Sequence, residues 1–281
     1  MSAKLIGAHM SSSKGLGNAI RKGKEIGCTT VQVFTSSPQM WRSAPVTAEK
    51  VADFKKAQLE TGIYDVVTHD SYLINLCAMD PAMREKSITG LTDELHRSAA
   101  YGIPFVVSHM GAHMGQGCDI GLAGVAEAAA KVLDESPDSV TLLMETTAGQ
   151  GSALNSRFEE LAKLLELMKG HPRLAVCLDT CHIFVAGYDI RTEETFMRTF
   201  EEFERLIGFD RLKVVHCNDS KKGLGTKVDR HEHLGKGEIG IKAFELLVND
   251  PRFEAIPIIV ETPESEELHE VNVAVLKTLR R

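Results

Sequence analysis

The stretch from Val214 to Gly240, VVHCNDSKKGLGTKVDRHEHLGKGEIG, holds a dense set of side chains able to grip a cation. Two β-branched residues lead into His216, and Asp229-Arg230-His231 then sets a carboxylate and an imidazole two apart. In extended chain, side chains two apart point the same way, so Asp229 and His231 can share one ion. A carboxylate oxygen with an imidazole nitrogen suits zinc or manganese. Taken alone, Asp-x-His is equally an ordinary polar loop.

More donors follow short apolar, mostly β-rich runs. The runs are Leu5 to Ala8, Thr30 to Phe34, Val66 to Thr68, Phe105 to Val107, Val140 to Met144, Leu174 to Leu178, Leu212 to Val215 and Pro257 to Val260. After them come His9, His69, Ser108-His109, Glu145, Asp179 with His182 three residues on, His216 and Glu261. Glu145, Asp179, His216 and Glu261 alone would hold one divalent ion. With His69, His109, His182, Asp229 and His231 the chain offers nine candidate ligands, too many for a single centre.

Helical patterns fill most gaps between the runs. Ser156 to Lys169 reads as a helix opened by a Ser156/Glu159 capping box and stopped by Gly170 and Pro172. Asp80-Pro81 and Thr262-Pro263 read as an N-cap followed by proline at the first helical position. Strand then helix, eight times, predicts an α/β fold, a single (β/α)8 TIM barrel spanning residues 1–281, with the candidate ligands at the carboxyl ends of the strands, where barrel enzymes build their sites. His96, His171 and His269 fall in helical or helix-end patterns and are expected at the surface.

Hydrophobic residues make up 43% of the 281, enough for a sizeable core. No segment nears the about 18 continuous apolar residues of a membrane span. The N-terminal stretch shows no secretory pattern, and the six cysteines lack Cys-x-x-Cys spacing, so a cytoplasmic protein with reduced thiols is expected. A net charge of -7 argues against general attraction to a polyanion.

The chain resembles the endonuclease IV family of zinc-dependent apurinic/apyrimidinic endonucleases. The resemblance rests on GAHMSSSKG near the start, HDSYLINL from His69, LDTCHIFVAGYDI from Leu178, HCNDSKKGLGTKVDRHEHLGKGEIG from His216, and ETP at Glu261. It implies three Zn2+, with partial Mn2+ substitution tolerated. By similarity His69, His109 and Glu145 bind a first ion, Glu145 bridges to a second held with Asp179, His216 and Glu261, and His182, Asp229 and His231 hold a third. Catalytic roles would fall to Glu145 and Glu261. The implied partner is double-stranded DNA containing abasic sites or blocked 3′ ends, cut by a monomer 5′ to the lesion to leave a 3′-hydroxyl. Three divalent ions would offset most of the chain's negative charge where the phosphate must bind.

An enzyme that reads an abasic site also needs side chains to fill the gap in the duplex. Tyr72 matches the family's wedge tyrosine. The loop Ser36 to Arg42 matches a second probing loop, but where many relatives carry Pro-Arg-Gln-Trp, this chain has Pro38-Gln39-Met40-Trp41. Gln39 and Met40 are therefore candidates for the missing arginine's role, and Trp41 reads as a loop anchor. Lys221, Lys222 and Arg230 are the candidate phosphate contacts. His9, His113 and His233 match no family ligand and read as ordinary hydrogen-bonded or substrate-contacting histidines. Two other classes stay open. A sugar isomerase or epimerase on the related barrel needs only the four donors at strands five to eight, and a metal-stabilised binding protein needs only closed sites.

Overall fold

Along each β-rich run, alternate residues face opposite sides, so every strand carries one set toward the surrounding helices and one toward the barrel axis. The computed structural model describes residues 4–41, 44–263 and 266–281. Its strands are β1 (Ile6–His9), β2 (Thr30–Phe34), β3 (Val66–His69), β4 (Phe105–Ser108), β5 (Thr141–Glu145), β6 (Leu174–Asp179), β7 (Leu212–His216), β8 (Asp219–Ser220), β9 (His231–Glu232) and β10 (Ile258–Val260). β1 to β7 and β10 form a closed parallel barrel in chain order, sealed where Ala8 lies opposite Val260, while β8 and β9 make a separate antiparallel ribbon. The expected (β/α)8 barrel is the fold found.

Val67, Val107, Leu143, Cys177, Val214 and Ile259 form a small buried cluster of their own. Two residues further along the same strands stand His69, His109, Glu145, Asp179, His216 and Glu261. The period of two therefore stacks a layer of donors directly over an apolar plug. A larger cluster, including Phe54, Phe158, Phe200 and Phe244, fills the space between strands and helices. Gly7 must lack a side chain where β1 passes β2, since a Cβ there would lie 1.7 Å from the Thr30 carbonyl oxygen.

Asp80 caps the helix Pro81–Tyr101 as expected, accepting from the Ala82 and Met83 N–H groups. The expected Ser156/Glu159 capping box does not form. The helix is Phe158–Leu167 with Arg157 at its N-cap, so Glu160 takes the third helical position and accepts from the Ser156 N–H at 2.9 Å. Pro263 lies in a bend rather than in a first turn, and the last helix is described from Glu266 to Leu279. The Thr262 hydroxyl pairs with His269 Nδ1 (3.2 Å) and accepts from Asn272 Nδ2 (3.0 Å). His269 is consequently buried, not at the surface, because its helix lays that face against the end of β10. All six cysteines are free. Among the described residues no helix is long and apolar enough to cross a membrane.

The chain leaving β2 is pinned by two buried side chains of the helix Pro81–Tyr101. Arg97 donates to the Thr35 hydroxyl (2.9 Å), the Thr35 carbonyl (2.5 Å) and the Ala44 carbonyl (2.8 Å). Glu94 accepts from the Thr35 hydroxyl at 2.7 Å. Burial pushes the Glu94 carboxyl up to about 7, against the opposing pull of Thr35 and Arg97. A carboxyl raised by folding leaves both states equally protonated at low pH, and between its ordinary value of 4.5 and about 7 the unfolded chain releases its proton first, so stability falls. Glu94→Gln, neutral throughout, is expected to be more stable than the parent by about 1 to 3 kcal/mol at pH 8 and to show no gain at pH 4. Urea unfolding at the two pH values checks this, and an equal difference at both would place an anion at Glu94 in the fold.

Candidate metal centre

The donors at the carboxyl ends of the strands gather into three linked groups. His69, His109 and Glu145 form one, Glu145, Asp179, His216 and Glu261 a second, and His182, Asp229 and His231 a third, with the donor atoms of each group within 4.8 Å of one another. Glu145 belongs to two. Its Oε2 lies 3.1 Å from His69 Nε2 and 2.9 Å from His109 Nε2, and its Oε1 lies 2.8 Å from His216 Nδ1. In the third group His182 Nε2 is 3.1 Å and His231 Nε2 3.5 Å from the Asp229 carboxylate. Cys181 also falls within reach of Asp179 and His231, but burial and the Asp179 charge push its thiol far up, and a protonated thiol is a poor ligand.

Which nitrogen each ring offers is set by the bond its other nitrogen makes. His69 Nδ1 pairs with the Asp70 carbonyl (3.0 Å), His182 Nδ1 with the Thr146 carbonyl (2.8 Å) and His231 Nδ1 with the Glu261 carbonyl (3.0 Å). A carbonyl can only accept, so Nδ1 carries the hydrogen and the Nε2 lone pair faces the site. His182 Nε2 and His231 Nε2 are buried without a hydrogen-bond partner. Two such nitrogens converging on one carboxylate fit a divalent cation with an open position.

Charge points the same way. Burial alone would raise the Glu145 carboxyl, but His109 and His216 outweigh it and hold the group well below the usual carboxylate range. Burial would lower His69, yet Glu145 and its neighbours raise it to about 10. Asp229 is brought down to about 2 because the His182 and His231 imidazoles overcome its burial. The centre thus holds ionised carboxylates whose matching positive charge can come from protons on imidazoles or from a metal cation.

The third group depends on a loop rather than a strand end. After β7 the chain lies along the short helix Thr180–Ala186 that carries His182, with Gly225 N–H donating to the Phe184 carbonyl and Lys227 N–H to the Val185 carbonyl. It returns as β9, and the following turns wrap a fully buried carboxylate. Asp219 Oδ1 accepts from the N–H groups of Ser220 (2.8 Å) and Ile239 (3.0 Å), and Oδ2 from those of Gly235 (2.9 Å) and Gly237 (3.0 Å). At Gly237 a Cβ would lie 2.3 Å from the Ser220 carbonyl oxygen.

The xylose isomerase-like TIM barrel family matches residues 20–279. A "Probable endonuclease 4" from Chloroflexus aggregans is 50% identical over 278 residues, 98% of this chain and 97% of that one. Another from Geobacter sulfurreducens is 43% identical over 277 residues, 98% of this chain and 93% of its own. The chain belongs to the endonuclease IV family. Among solved structures, endonuclease IV from Thermus thermophilus superposes with a TM-score of 0.88 at 35% identity, covering 99% of this chain and 98% of that one. A D-tagatose 3-epimerase-like protein superposes at 0.75 with 16% identity over 99% and 97% of the two chains, a likeness of fold.

All nine candidate ligands thus come together in an endonuclease IV fold. His69, His109, Glu145, His182, Asp229, His231 and Glu261 line a cavity of about 300 Å³ with Tyr72 and Phe34, while Asp179 and His216 lie fully buried. Tyr72 is 63% exposed, its ring edge-on to Phe34 at 5.6 Å. Met40, 58% exposed, lines a neighbouring cavity with His9 and Phe34. Gln39, Lys221, Lys222 and Arg230 are exposed and line neither cavity; the last three share the loop of Asp229. Trp41 is half-buried against the core beside Gly90, and Arg42 lies outside the described residues. His113 accepts from the Gly115 and Gly117 N–H groups, and His233 meets Asn272, so both are ordinary bonded histidines.

The sequence reading missed Asn218, whose Nδ2 donates to Asp179 (2.7 Å) while its Oδ1 accepts from the Glu261 N–H (2.7 Å), and it missed Asp219 and Gln32. For the first two the available signal was a polar pair beginning two residues after the strand-end His216. Asp219→Ala would leave four N–H donors without their acceptor, those of Ser220 and Ile239 buried and those of Gly235 and Gly237 partly so. We expect it to lower stability by about 3 to 5 kcal/mol and to make the segment from His231 to Ile239 the first site of proteolysis. Unfolding within about 1 kcal/mol of the parent, with parental cleavage, would show the loop held by other contacts.

Proposed function

We propose that the chain is a metal-dependent DNA repair endonuclease that hydrolyses the phosphodiester 5′ to abasic sites in duplex DNA, leaving a 3′-hydroxyl, and that it also trims blocked 3′ ends. It acts as a monomer in the cytoplasm, as one domain of residues 1–281, with three Zn2+ and tolerance of Mn2+. The observation that carries this reading is the third donor group, His182, Asp229 and His231, beside the two groups joined by Glu145. A sugar isomerase or epimerase has use for the four-donor group and none for a third set on a loop. Membership of the endonuclease IV family supports the same choice.

The first ion would rest on His69, His109 and Glu145, the second on Glu145, Asp179, His216 and Glu261, and the third on His182, Asp229 and His231. Bound there, divalent ions supply acidity to water at neutral pH and positive charge against phosphate oxygens. The chain's own part is orientation and exclusion. Glu145 ties two donor groups at a fixed separation. Glu261 Oε2, beside His216 Nδ1 at 3.1 Å, would complete the second group, so that carboxylate serves as a ligand rather than as a free base. The plug of Leu143, Cys177, Val214 and Ile259 closes the floor to solvent. Tyr72 fills the gap left by the missing base, with Met40 and Gln39 on the adjoining loop, and Lys221, Lys222 and Arg230 meet the backbone phosphates.

His231→Ala leaves two protein ligands in the third group. The variant is expected to fold, to lose one of three ions by elemental analysis, and to cut an abasic duplex ~100 to 1000-fold more slowly. Parental cleavage with unchanged metal content would refute the three-ion mechanism, and activity on a ketose or aldose panel without DNA cleavage would favour the isomerase. Tyr72→Ala should weaken binding to abasic duplex by ~1 to 3 kcal/mol with metal content intact. Unchanged affinity would make Tyr72 a packing residue.

A further inference from the structure

Gln32 sits in the middle of β2, fully buried, at a barrel-facing position between Thr30 and Phe34, opposite His9 in register. Two of its three amide contacts go to the donor layer and the third to His9 beside it. Its Oε1 lies 2.7 Å from His216 Nε2, and its Nε2 lies 2.6 Å from Glu261 Oε1 and 2.9 Å from His9 Nδ1. The amide can be oriented in only one way. Rotated end for end, its oxygen would face the Glu261 carboxylate oxygen, two acceptors with no hydrogen between them.

In the orientation found, the amide oxygen takes the hydrogen from His216 Nε2, which leaves the Nδ1 lone pair directed at Glu145 and Glu261. The amide NH2 takes Glu261 Oε1, which leaves Oε2 for the centre. One uncharged side chain thereby selects the tautomer of one donor and the free oxygen of another, on strands β7 and β10 far from it in sequence.

We infer that Gln32 is a positioning residue for the cation held by Glu145, Asp179, His216 and Glu261, fixing His216 to bind through Nδ1 and Glu261 through Oε2. The inference rests on the reading that this group holds a metal. A buried leucine or methionine would fill the same space but leave the His216 ring free to turn and one Glu261 oxygen without its donor. Groups that orient metal ligands in this way are typically worth 10- to 100-fold in metal affinity.

The test loads cobalt(II) into the parent, Gln32→Met and Gln32→Glu, then follows cobalt content and the visible spectrum during dialysis against a chelator. Gln32→Met should release one cobalt about 10- to 100-fold more readily than the parent and shift the spectrum of that ion. Gln32→Glu keeps an acceptor for His216 but no donor for Glu261, and should fall between the two. Unfolding of the metal-free proteins shows whether Gln32→Met has lost its fold; if so, Gln32→Glu against the parent carries the test. Parental retention and spectrum in the folded variants would overturn the role of Gln32 while leaving the metal site standing. A parent that takes up no cobalt at this group would overturn both.

Discussion

An ionised carboxylate cannot be buried without positive charge close around it, and Glu145 is buried completely. Everything about the centre follows from meeting that demand. Its two oxygens face imidazoles delivered by β3, the end of β4 and β7, and His182 Nδ1 from the helix after β6 stands 3.6 Å away. No single strand or helix could supply donors on so many sides. Closing the sheet into a barrel does, because the tilt of the strands turns successive carboxyl ends toward one axis. The carboxylate is at once the point where two donor groups meet and the reason the histidines are held there.

Strand-end donors were legible in the sequence because two simple periodicities coincide. Apolar runs mark the strands, and a donor two residues beyond an inward-facing apolar residue must also face inward, as Leu143 and Glu145 or Val214 and His216 show. How the nine residues divide among the groups was implied by the family resemblance, since spacing along the chain says nothing of which strand ends meet. Gln32 was not legible: one amide within TVQVF looks like any polar residue of a half-buried strand until the partner across the barrel is known. Asp219 hides for the opposite reason, because its partners are backbone amides that any sequence provides. His269 and the Ser156 cap show smaller failures. Helical periodicity gives a face without saying what covers it, and adjacent Glu159 and Glu160 leave a one-residue ambiguity that only the backbone resolves.

The barrel and the loop contribute unequal parts of the site. The four-donor group is carried by β5, β6, β7 and the end of β10, positions that follow from the fold itself. The likeness to epimerase-like barrels at 16% identity shows how little sequence that framework requires. His182, Asp229 and His231 depend instead on a helix of seven residues and a loop folded back along it. What sets the third group apart is thus loop architecture laid on the floor of the barrel.

That loop is held in an unusual way. Asp219 grips Ser220, Gly235, Gly237 and Ile239 through their main-chain N–H groups alone. Such a clamp is indifferent to most side chains it encircles and constrains identity chiefly where space forbids a Cβ, as at Gly237. Lys236 and Glu238 can therefore change without disturbing the position of His231 ahead of them. Descendants of this chain could retune the charge and shape presented beside the centre by single substitutions, each neutral to the scaffold, so that preference among substrates can drift while the donors beneath stay fixed.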